Sequence, residues 1–595
     1  MPTGHKIIYR RPPAEKNGLL ADLPPVLRRV YLTREITSAR ELEQSLDRLI
    51  PPARLKNIDQ AVELLAEALQ RQRRILIVAD FDADGATSCA LALRALRGLG
   101  AQDVRYIVPN RFEYGYGLTP EIVALAARQE PELIVTVDNG ISSIEGVTEA
   151  RRRGIDVLVT DHHLPGETLP PATVIVNPNQ PDDGFPSKNL AGVGVIFYVM
   201  LALRAHLRLS GWFGLKNIPE LNLANLLDLV ALGTVADVVP LDFNNRILVA
   251  QGLRRINRGS VCSGIAALLR VAGRAPERAK TMELGYIVGP RLNAAGRLTD
   301  MTLGIECLLT DNPEAAQSMA EKLDALNHER RAIEAKMQQQ ALTAVANLRL
   351  DTAALPRGLC LFDETWHQGV IGLVAARVKE RTHRPVIALA PVSDVEIKGS
   401  ARSVPGLHIR DALDAIAARH PHLLSRFGGH AMAAGLTLQR AHLEAFQKAF
   451  DEEVSRHLSD GDLEGKIISD GELSAEELSL QTAALLREAG PWGQGFPEPV
   501  FDGWFDVVSQ RVVGEKHLKL SLRITGQARL VDAIAFNCIR AGKPDTYLRI
   551  RAAYKLDVNE YQGQRTLQLI IEHLEHASAE AGLPVSRPVA TLSSV

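Results

Sequence analysis

Residues 75–85 read Ile-Leu-Ile-Val-Ala-Asp80-Phe-Asp82-Ala-Asp84-Gly85. The apolar run predicts a short buried strand, and three acidic residues follow it at alternating positions. Period-two spacing puts all three side chains on one side if the strand geometry continues. Crowding carboxylates together makes ionising them costly unless a cation is present. Taken alone, the stretch fits an Asp-rich turn with solvated carboxylates equally well, so its meaning rests on what surrounds it.

Outward from it, strand-like runs occur at residues 75–79, 104–108, 133–137, 157–160 and 174–176, with helical patterns separating the first four. That alternation predicts an α/β fold with a parallel, doubly wound sheet. Two further strands end in polar groups: Ile134-Val-Thr-Val-Asp138-Asn139-Gly140 and Val157-Leu-Val-Thr-Asp161-His162-His163. Open α/β sheets bind ligands at the carboxyl ends of their strands, so three such ends point into one crevice. A lone histidine is more often structural, but beside two other acidic strand ends at least one of His162 and His163 reads as a metal ligand. Asp237 adds an acid to the otherwise apolar stretch from Leu229 to Val238, where its bland role would be capping or pairing with an arginine. Together these groups supply oxygen and imidazole donors for two Mn²⁺ or Mg²⁺ ions. The five cysteines (Cys89, Cys262, Cys307, Cys360 and Cys538) are scattered, with no Cys-x-x-Cys pair. This disfavours a structural zinc site and a disulfide framework, and fits a reducing cytoplasm.

A chain of 595 residues exceeds one hydrophobic core and predicts three or four domains. Its 46% hydrophobic and 23% charged content excludes the disordered, collagenous and disulfide-rich classes. A net charge of −2 lacks the basic footprint of many nucleic-acid binders, and the arginine clusters at 71–74, 151–153 and 254–255 read as solvated helix faces. The opening residues lack the apolar run of a secretory signal, so the protein is expected to begin at or near Met1. The longest apolar stretch, 190–203, is too short for a spanning helix and reads as buried, with no membrane expected. Gly192-x-Gly194 is too weak a signal for a nucleotide loop and reads as close helix packing.

The organisation expected is a helical leader at 1–70, a catalytic α/β domain at 71–311 and a long connecting helix at 312–350. A second α/β domain follows at 351–458, then an OB-like β-barrel at 459–575 and a tail at 576–595. The connecting helix is preferred to a coiled-coil stem because no strict seven-residue repeat is sustained. Strand periodicity alone does not separate the barrel from a sandwich.

Asp80–Gly85, Asp138–Gly140, Asp161–His163 and Asp237 resemble, in order, the successive motifs of the DHH phosphoesterases. The resemblance extends to Gly289-Pro-Arg-Leu-Asn-Ala-Ala-Gly-Arg297. In the second domain, Trp366-His-Gln-Gly-Val-Ile-Gly372, Gly399-Ser400-Ala-Arg402-Ser403 and Gly428-Gly429-His430 look like the DHH-associated (DHHA1) domain. Residues 491–499, Pro-Trp-Gly-Gln-Gly-Phe-Pro-Glu-Pro, resemble the OB-region segment of the family's single-strand-specific exonucleases. The likeness spans roughly residues 20–575. One departure, Ala79-Asp80-Phe81 where the family more often has Gly-Asp-Tyr, removes no ligand type.

The resemblance implies a 5′→3′ exonuclease that degrades single-stranded DNA to 5′-mononucleotides in recombination and repair, with two divalent metal ions, Mn²⁺ preferred and Mg²⁺ the alternative. It implies Asp82, Asp84, Asp138, His162 and Asp237 as metal ligands, with Asp138 as the bridge and Asp80 assisting. Asp161 would orient a neighbouring ligand, and His163 would meet the scissile phosphate or leaving oxygen. Arg111, Arg297, Ser400 and Arg402 would grip the strand near its 5′ end, with Gly428, Gly429 and His430 as a backbone-donor loop. Arg111, Tyr114 and Tyr116 follow the second strand, where they form either a loop with surface aromatics or a phosphate and base-stacking site. Single-strand binding protein and a RecQ-like helicase are the implied partners, and the protein is expected to act as a monomer. Two rivals remain: cleavage of short oligonucleotides, cyclic dinucleotides or polyphosphates, against which the extra barrel counts, and a non-catalytic nucleic-acid scaffold, against which the intact acidic and histidine set counts.

Overall fold

The computed structural model describes residues 6–12, 19–109, 117–347, 355–429, 431–524, 528–539, 546–561 and 563–576. The chain forms two compact units. The first comprises Ala14–Arg330 and Ala484–Glu498, and the second Met1–Pro13, Arg331–Ala483 and Pro499–Val595. Strand β1 (Lys6–Arg10) belongs to the second unit, where it pairs in parallel with Gly465–Ser469. This differs from the leader of short helices expected there: the alternating run Lys-Ile-Ile-Tyr-Arg buries only Ile8, a one-sided pattern suited to an edge strand.

In the first unit, β2 (Ile75–Ala79), β3 (Val104–Ile107), β4 (Leu133–Val137), β5 (Asp156–Thr160) and β6 (Val174–Val176) form one sheet in the order β3-β2-β4-β5-β6, all parallel. Each residue of β2 is buried because the sheet is covered on both faces. Ile75, Ile77 and Ala79 pack with the helices Ile58–Gln70, Ala83–Gly98 and Gly192–Leu209. Leu76 and Val78 pack on the other side with Pro120–Ala127 and Ile144–Arg152. Burying such a side chain contributes about 1.5–3 kcal/mol, which is why the strands read as continuous apolar runs. Strand order reverses between β2 and β4, so a crevice opens at their carboxyl ends.

Gly192–Leu209 is long and apolar enough to cross a membrane, but 61% of it is buried within the protein, in the core against Ala83–Gly98. The segment Ala484–Glu498 also packs in this unit, although its resemblance placed it with the barrel. Trp492 stacks on Phe496 at 5.1 Å and on Tyr31 at 6.2 Å, the Arg246 guanidinium lies 4.4 Å over Phe496, and the Tyr31 hydroxyl donates to the Ala489 carbonyl. Aromatic burial outweighs sequence proximity here.

The helix Pro313–Asn347 carries the chain from the first unit into the second. It starts at a proline, with Asn312 Oδ1 accepting from the Glu314 and Ala315 amides, the usual signature of a helix beginning. In the second unit, β7 (Leu359–Phe362), β8 (Val386–Pro391), β9 (Glu396–Arg402), β10 (Arg426–Gly429) and β11 (Ala433–Gln439) form a mixed sheet, order β10-β11-β9-β8-β7. Strand β12 (Gly465–Ser469) is the partner of β1. Then β13 (Phe501–Val513), β14 (His517–Ile524), β15 (Leu530–Ala535), β16 (Arg549–Tyr561) and β17 (Gln564–His576) close into a barrel. Closure comes from the pairing of β15 with β17, which makes the segment a barrel and not a sandwich.

Candidate active site

Each acidic motif is delivered by the end of a buried element. Beyond β2, the Asp80 amide donates to the Val137 carbonyl, and Asp80 Oδ1 accepts from the Phe81 amide at 2.7 Å. Asp82 caps the helix Ala83–Gly98, its Oδ1 accepting from the Asp84 and Gly85 amides at 2.9 and 3.0 Å. Asp84 is 1% exposed and accepts from the amides of Gly192 and Val193 at 2.6 and 3.0 Å. Those amides open the helix Gly192–Leu209, whose first N–H groups lack intrahelical acceptors and so favour an anion.

Asp138 follows β4 in the left-handed region, φ 62°, a conformation that Asp and Asn adopt more readily than most residues. That turn brings its carboxylate beside His162 Nε2, which lies 3.1 Å from Asp138 Oδ1, 3.5 Å from Asp237 Oδ2 and 4.0 Å from Asp84 Oδ2. Asp237 stands at the C-terminal end of the helix Leu227–Ala236. Asp161 does different work: it accepts from the amides of Ile141, His162 and His163 and pairs with Nδ1 of His163 at 2.7 Å.

Three groups of donor atoms lie within 4.8 Å of one another: Asp80, Asp82 and Asp138; Asp84, His162 and Asp237; and Asp138 with His162 and His163. Burial, followed by repulsion from Asp82, raises Asp80 to about 8 and Asp84 to about 7. Burial and the surrounding carboxylates likewise hold Asp138 and Asp237 well above the ordinary range. Burial works against protonation of His163, but the hydrogen bond and charge of Asp161 outweigh it and raise the imidazole to about 9. The same pairing overcomes burial at Asp161 and keeps its carboxyl low. Clustered carboxylates so reluctant to ionise together, with an imidazole and no thiolate among them, fit two hard or borderline divalent cations.

The sequence-derived metal donors Asp80, Asp82, Asp84, Asp138, His162 and Asp237 are thus brought together, with Asp161 and His163 beside them. Arg297 is exposed near the end of the helix Gly289–Leu298 in the first unit. Ser400, Arg402, Gly428 and Gly429 lie on β9 and β10 of the second unit, with Arg402 donating to Ser400 Oγ at 3.0 Å. Arg111, Tyr114, Tyr116 and His430 fall outside the described residues.

Sequence reasoning missed the groups that hold the acids in place. Gly192 was read as a helix-packing glycine, yet a Cβ there would stand 2.5 Å from Asp138 Cβ and 2.7 Å from its Oδ1. A Cβ on Gly233 would reach Asp84 Oδ1 at 2.7 Å. Asn293 Oδ1 accepts from the Ala83 amide at 2.7 Å, and Asn139 Nδ2 donates to the Val78 and Val137 carbonyls. Asn293 lay within a motif already quoted, whereas the glycines carried no signal beyond their identity.

Comparison with known proteins adds independent findings. Residues 74–234 match the DHH family N-terminal domain, 352–456 the DHHA1 domain and 469–573 the RecJ OB domain. The chain is 56% identical over 566 residues to the single-stranded-DNA-specific exonuclease RecJ of Dickeya dadantii, covering 95% of this chain and 98% of that one. It is 54% identical over 568 residues to the protein of the same name from Escherichia coli, with the same coverages. The crystal structure of RecJ from Thermus thermophilus in complex with Mn²⁺ superposes with a TM-score of 0.73 at 31% identity, covering 94% of this chain and 77% of that chain. The Mg²⁺ complex gives 0.69 at 29% identity, covering 94% of this chain and 76% of that chain.

Proposed function

The chain belongs to the RecJ family of DHH phosphoesterases, and from that premise we propose that it is a 5′→3′ exonuclease of single-stranded DNA. It hydrolyses phosphodiesters to 5′-mononucleotides with two divalent cations, Mn²⁺ favoured over Mg²⁺, in recombination and repair. The observation that carries this reading is the convergence of Asp80, Asp82, Asp84, Asp138, His162 and Asp237 from four separate stretches of chain, with Asp138 common to two donor groups.

Bound cations would acidify a shared water and neutralise charge on the phosphate oxygens. The protein's own groups then have separate tasks. Asp80, Asp82 and Asp138 would hold one ion, and Asp84, His162 and Asp237 the other, with Asp138 within reach of both. Asp161 holds Nδ1 of His163, so Nε2 is the nitrogen that meets the scissile phosphate and supplies a proton to the leaving oxygen. No nucleophilic serine or cysteine is needed. Family resemblance supports Arg111, Arg297, Ser400 and Arg402 as groups that grip the strand near its 5′ end and Gly428, Gly429 and His430 as a backbone-donor loop, with Tyr114 and Tyr116 stacking a base.

The closed barrel supports a polymeric substrate, because such barrels track single-stranded backbone and stack bases without reading sequence. Family resemblance supports single-strand binding protein and a RecQ-like helicase as partners, and action as a monomer. The five free cysteines support a cytoplasmic location.

Digestion of 5′-labelled and 3′-labelled single strands with Mn²⁺, beside blunt duplex, tests the reading. Mononucleotides released first from the 5′ label, with duplex resistant, are expected. Intact long strands alongside cleaved dinucleotides would replace it with the short-substrate reading.

A further inference from the structure

A cleft of about 530 Å³ opens on the second unit's mixed sheet. Pockets for whole small molecules run from about 300 to 1,000 Å³, so this one has room for more than the single phosphate that Ser400 and Arg402 would grip. Its floor is set by strand register. Ser400 of β9 pairs with Gly435 of β11, which pairs with Gly428 of β10; two residues along, Lys398, Thr437 and Arg426 are aligned in the same way. Residues two apart on a strand share a face, so both rows look into the cleft, while Ile397, Ala401, Leu436 and Leu438 turn to the buried core. Gly428 and Gly435 have open space where a Cβ would stand, so their stretch of the floor is bare backbone.

The second row is positive and unbalanced. Other cations of the unit are paired, Arg377 with Glu380, Arg419 with Glu453 and Arg440 with Glu364. Among the described residues no carboxylate pairs with Lys398 or Arg426, and none lines the cleft. The acid on this face, Glu396, stands one row further out, opposite Gln439. Ile371 and Gly372, which open the helix Ile371–Thr382, line the same cleft, and a Cβ on Gly372 would lie 3.2 Å from Ser400 Oγ. The first amides of a helix lack intrahelical acceptors and favour an anion, so the cleft is positive from the Ser400 row to the Lys398 row.

We infer that the row of Lys398, Thr437 and Arg426 receives the outer phosphates of a 5′-triphosphate, so that the protein accepts strands whose first nucleotide carries a triphosphate. The inference rests on the functional reading, in which Ser400 and Arg402 hold the terminal phosphate and the acidic cluster acts on the next one, the scissile diester. Along β9, Ser400 stands between Arg402 and Lys398. The nucleoside leaves the terminal phosphate through one oxygen and a phosphate chain leaves it through another, so the chain takes the free row and not the path of the strand. The rows lie roughly 6.6 Å apart, a span that two phosphoanhydride bridges cover, and this sets the γ-phosphate between the two cations. The Arg426 guanidinium can take two of its oxygens, the Lys398 ammonium acts as a point charge across from it, and the Thr437 hydroxyl donates a hydrogen bond. The chemistry is unchanged: water adds to the phosphorus of the first diester, the bond to the 3′ oxygen of the first nucleotide breaks, and that oxygen takes a proton. The first product is then a nucleoside 5′-triphosphate, and the shortened strand begins with an ordinary 5′-phosphate.

The test compares one single-stranded DNA carrying a 5′-triphosphate with the same strand carrying a 5′-monophosphate, bound to the full chain in EDTA, where no cleavage occurs. Wild type should bind the triphosphate end about tenfold tighter, and the double variant Lys398→Gln, Arg426→Gln should bind both ends alike. Lys448→Gln, an exposed site near Glu452, should keep the preference. No preference in wild type, or the same preference in the double variant, overturns the site. Free nucleoside triphosphate should compete only weakly, having no strand to hold; competition as strong as that of the triphosphate-ended strand makes the free nucleotide the ligand and overturns the assignment to strand ends. With Mn²⁺, the first product from the triphosphate end should be a nucleoside 5′-triphosphate, and inorganic phosphate or pyrophosphate released before any nucleotide overturns it. The two readings fail separately. A wild type that shows the binding preference but cuts no strand loses the nuclease function and keeps the site, and one that digests monophosphate strands normally without any preference does the reverse.

Discussion

The Gly192 amide donates to Asp84 Oδ2 at 2.6 Å, so the positive end of a helix running through the core is turned on a carboxylate of the acidic cluster. The same glycine leaves room for Asp138, whose Cβ would stand 2.5 Å from any Cβ placed there. Gly192→Ala should therefore displace one ligand of each ion at once. We expect Mn²⁺ affinity, read by calorimetry, to fall by at least about tenfold, with overpacking costing about 1–3 kcal/mol of stability. Unchanged affinity would refute the positioning role.

Asp138→Asn keeps a residue suited to φ 62° while removing the negative charge. Activity on single-stranded DNA should fall on the order of a thousandfold, about 4 kcal/mol of barrier. The melting temperature of the metal-free protein should hold or rise, because repulsion from Asp84, Asp82, Asp80 and Asp237 is relieved. A variant keeping more than a tenth of wild-type activity would sink the assignment.

Metal removal should destabilise the first unit selectively. Ligands that bind only the folded state stabilise it by mass action, about 2.7 kcal/mol at a hundredfold excess over Kd. Calorimetric scans with EDTA and with Mn²⁺ should differ in one transition and agree in the other, and the difference should vanish in Asp138→Asn. Equal shifts in both transitions would contradict it.

Asp502 supplies the pH dependence of the second unit. Its buried carboxylate accepts from Arg10, Ser469 and Arg551 at 2.8, 2.6 and 2.9 Å, tying β1, β12 and the barrel together. Burial alone would raise its pKa, but these donors outweigh it and hold the carboxyl below its usual value. A depressed folded-state pKa means stability that is present above the unfolded value, near 4, and lost as pH falls through the folded one. Asp502→Asn should cost about 2 kcal/mol at pH 7, less than a fully buried pair because Arg10 is partly exposed. The gap in melting temperature should narrow below pH 4. A gap independent of pH would show that charge is not the cause.

Trp492→Ala should loosen the first unit and not the barrel. The indole donates to the Leu486 carbonyl and stacks with both Tyr31 and Phe496, so its loss should cost about 3–5 kcal/mol. Hydrogen exchange should quicken around Tyr31 and Arg246 while β13 to β17 stay protected.

Local sequence determined the strands, their parallel sense and the residues at their ends. Apolar runs such as Ile75–Ala79 must be covered on both faces, and a sheet so covered places Asp80, Asp138 and Asp161 at one edge. Ordered motifs of acids and histidines also fixed the family, since each is a short contiguous string. What tertiary structure alone decided was which distant groups meet those strings. The Gly192 amide on Asp84, the Asn293 carbonyl oxygen on the Ala83 amide, Trp492 on Tyr31 and Lys6–Arg10 beside Gly465–Ser469 all join residues far apart in the chain. Periodicity reports which face of an element is buried and not what buries it. Hydrogen-bond satisfaction and packing volume choose the partner, and both exist only once the chain has closed on itself.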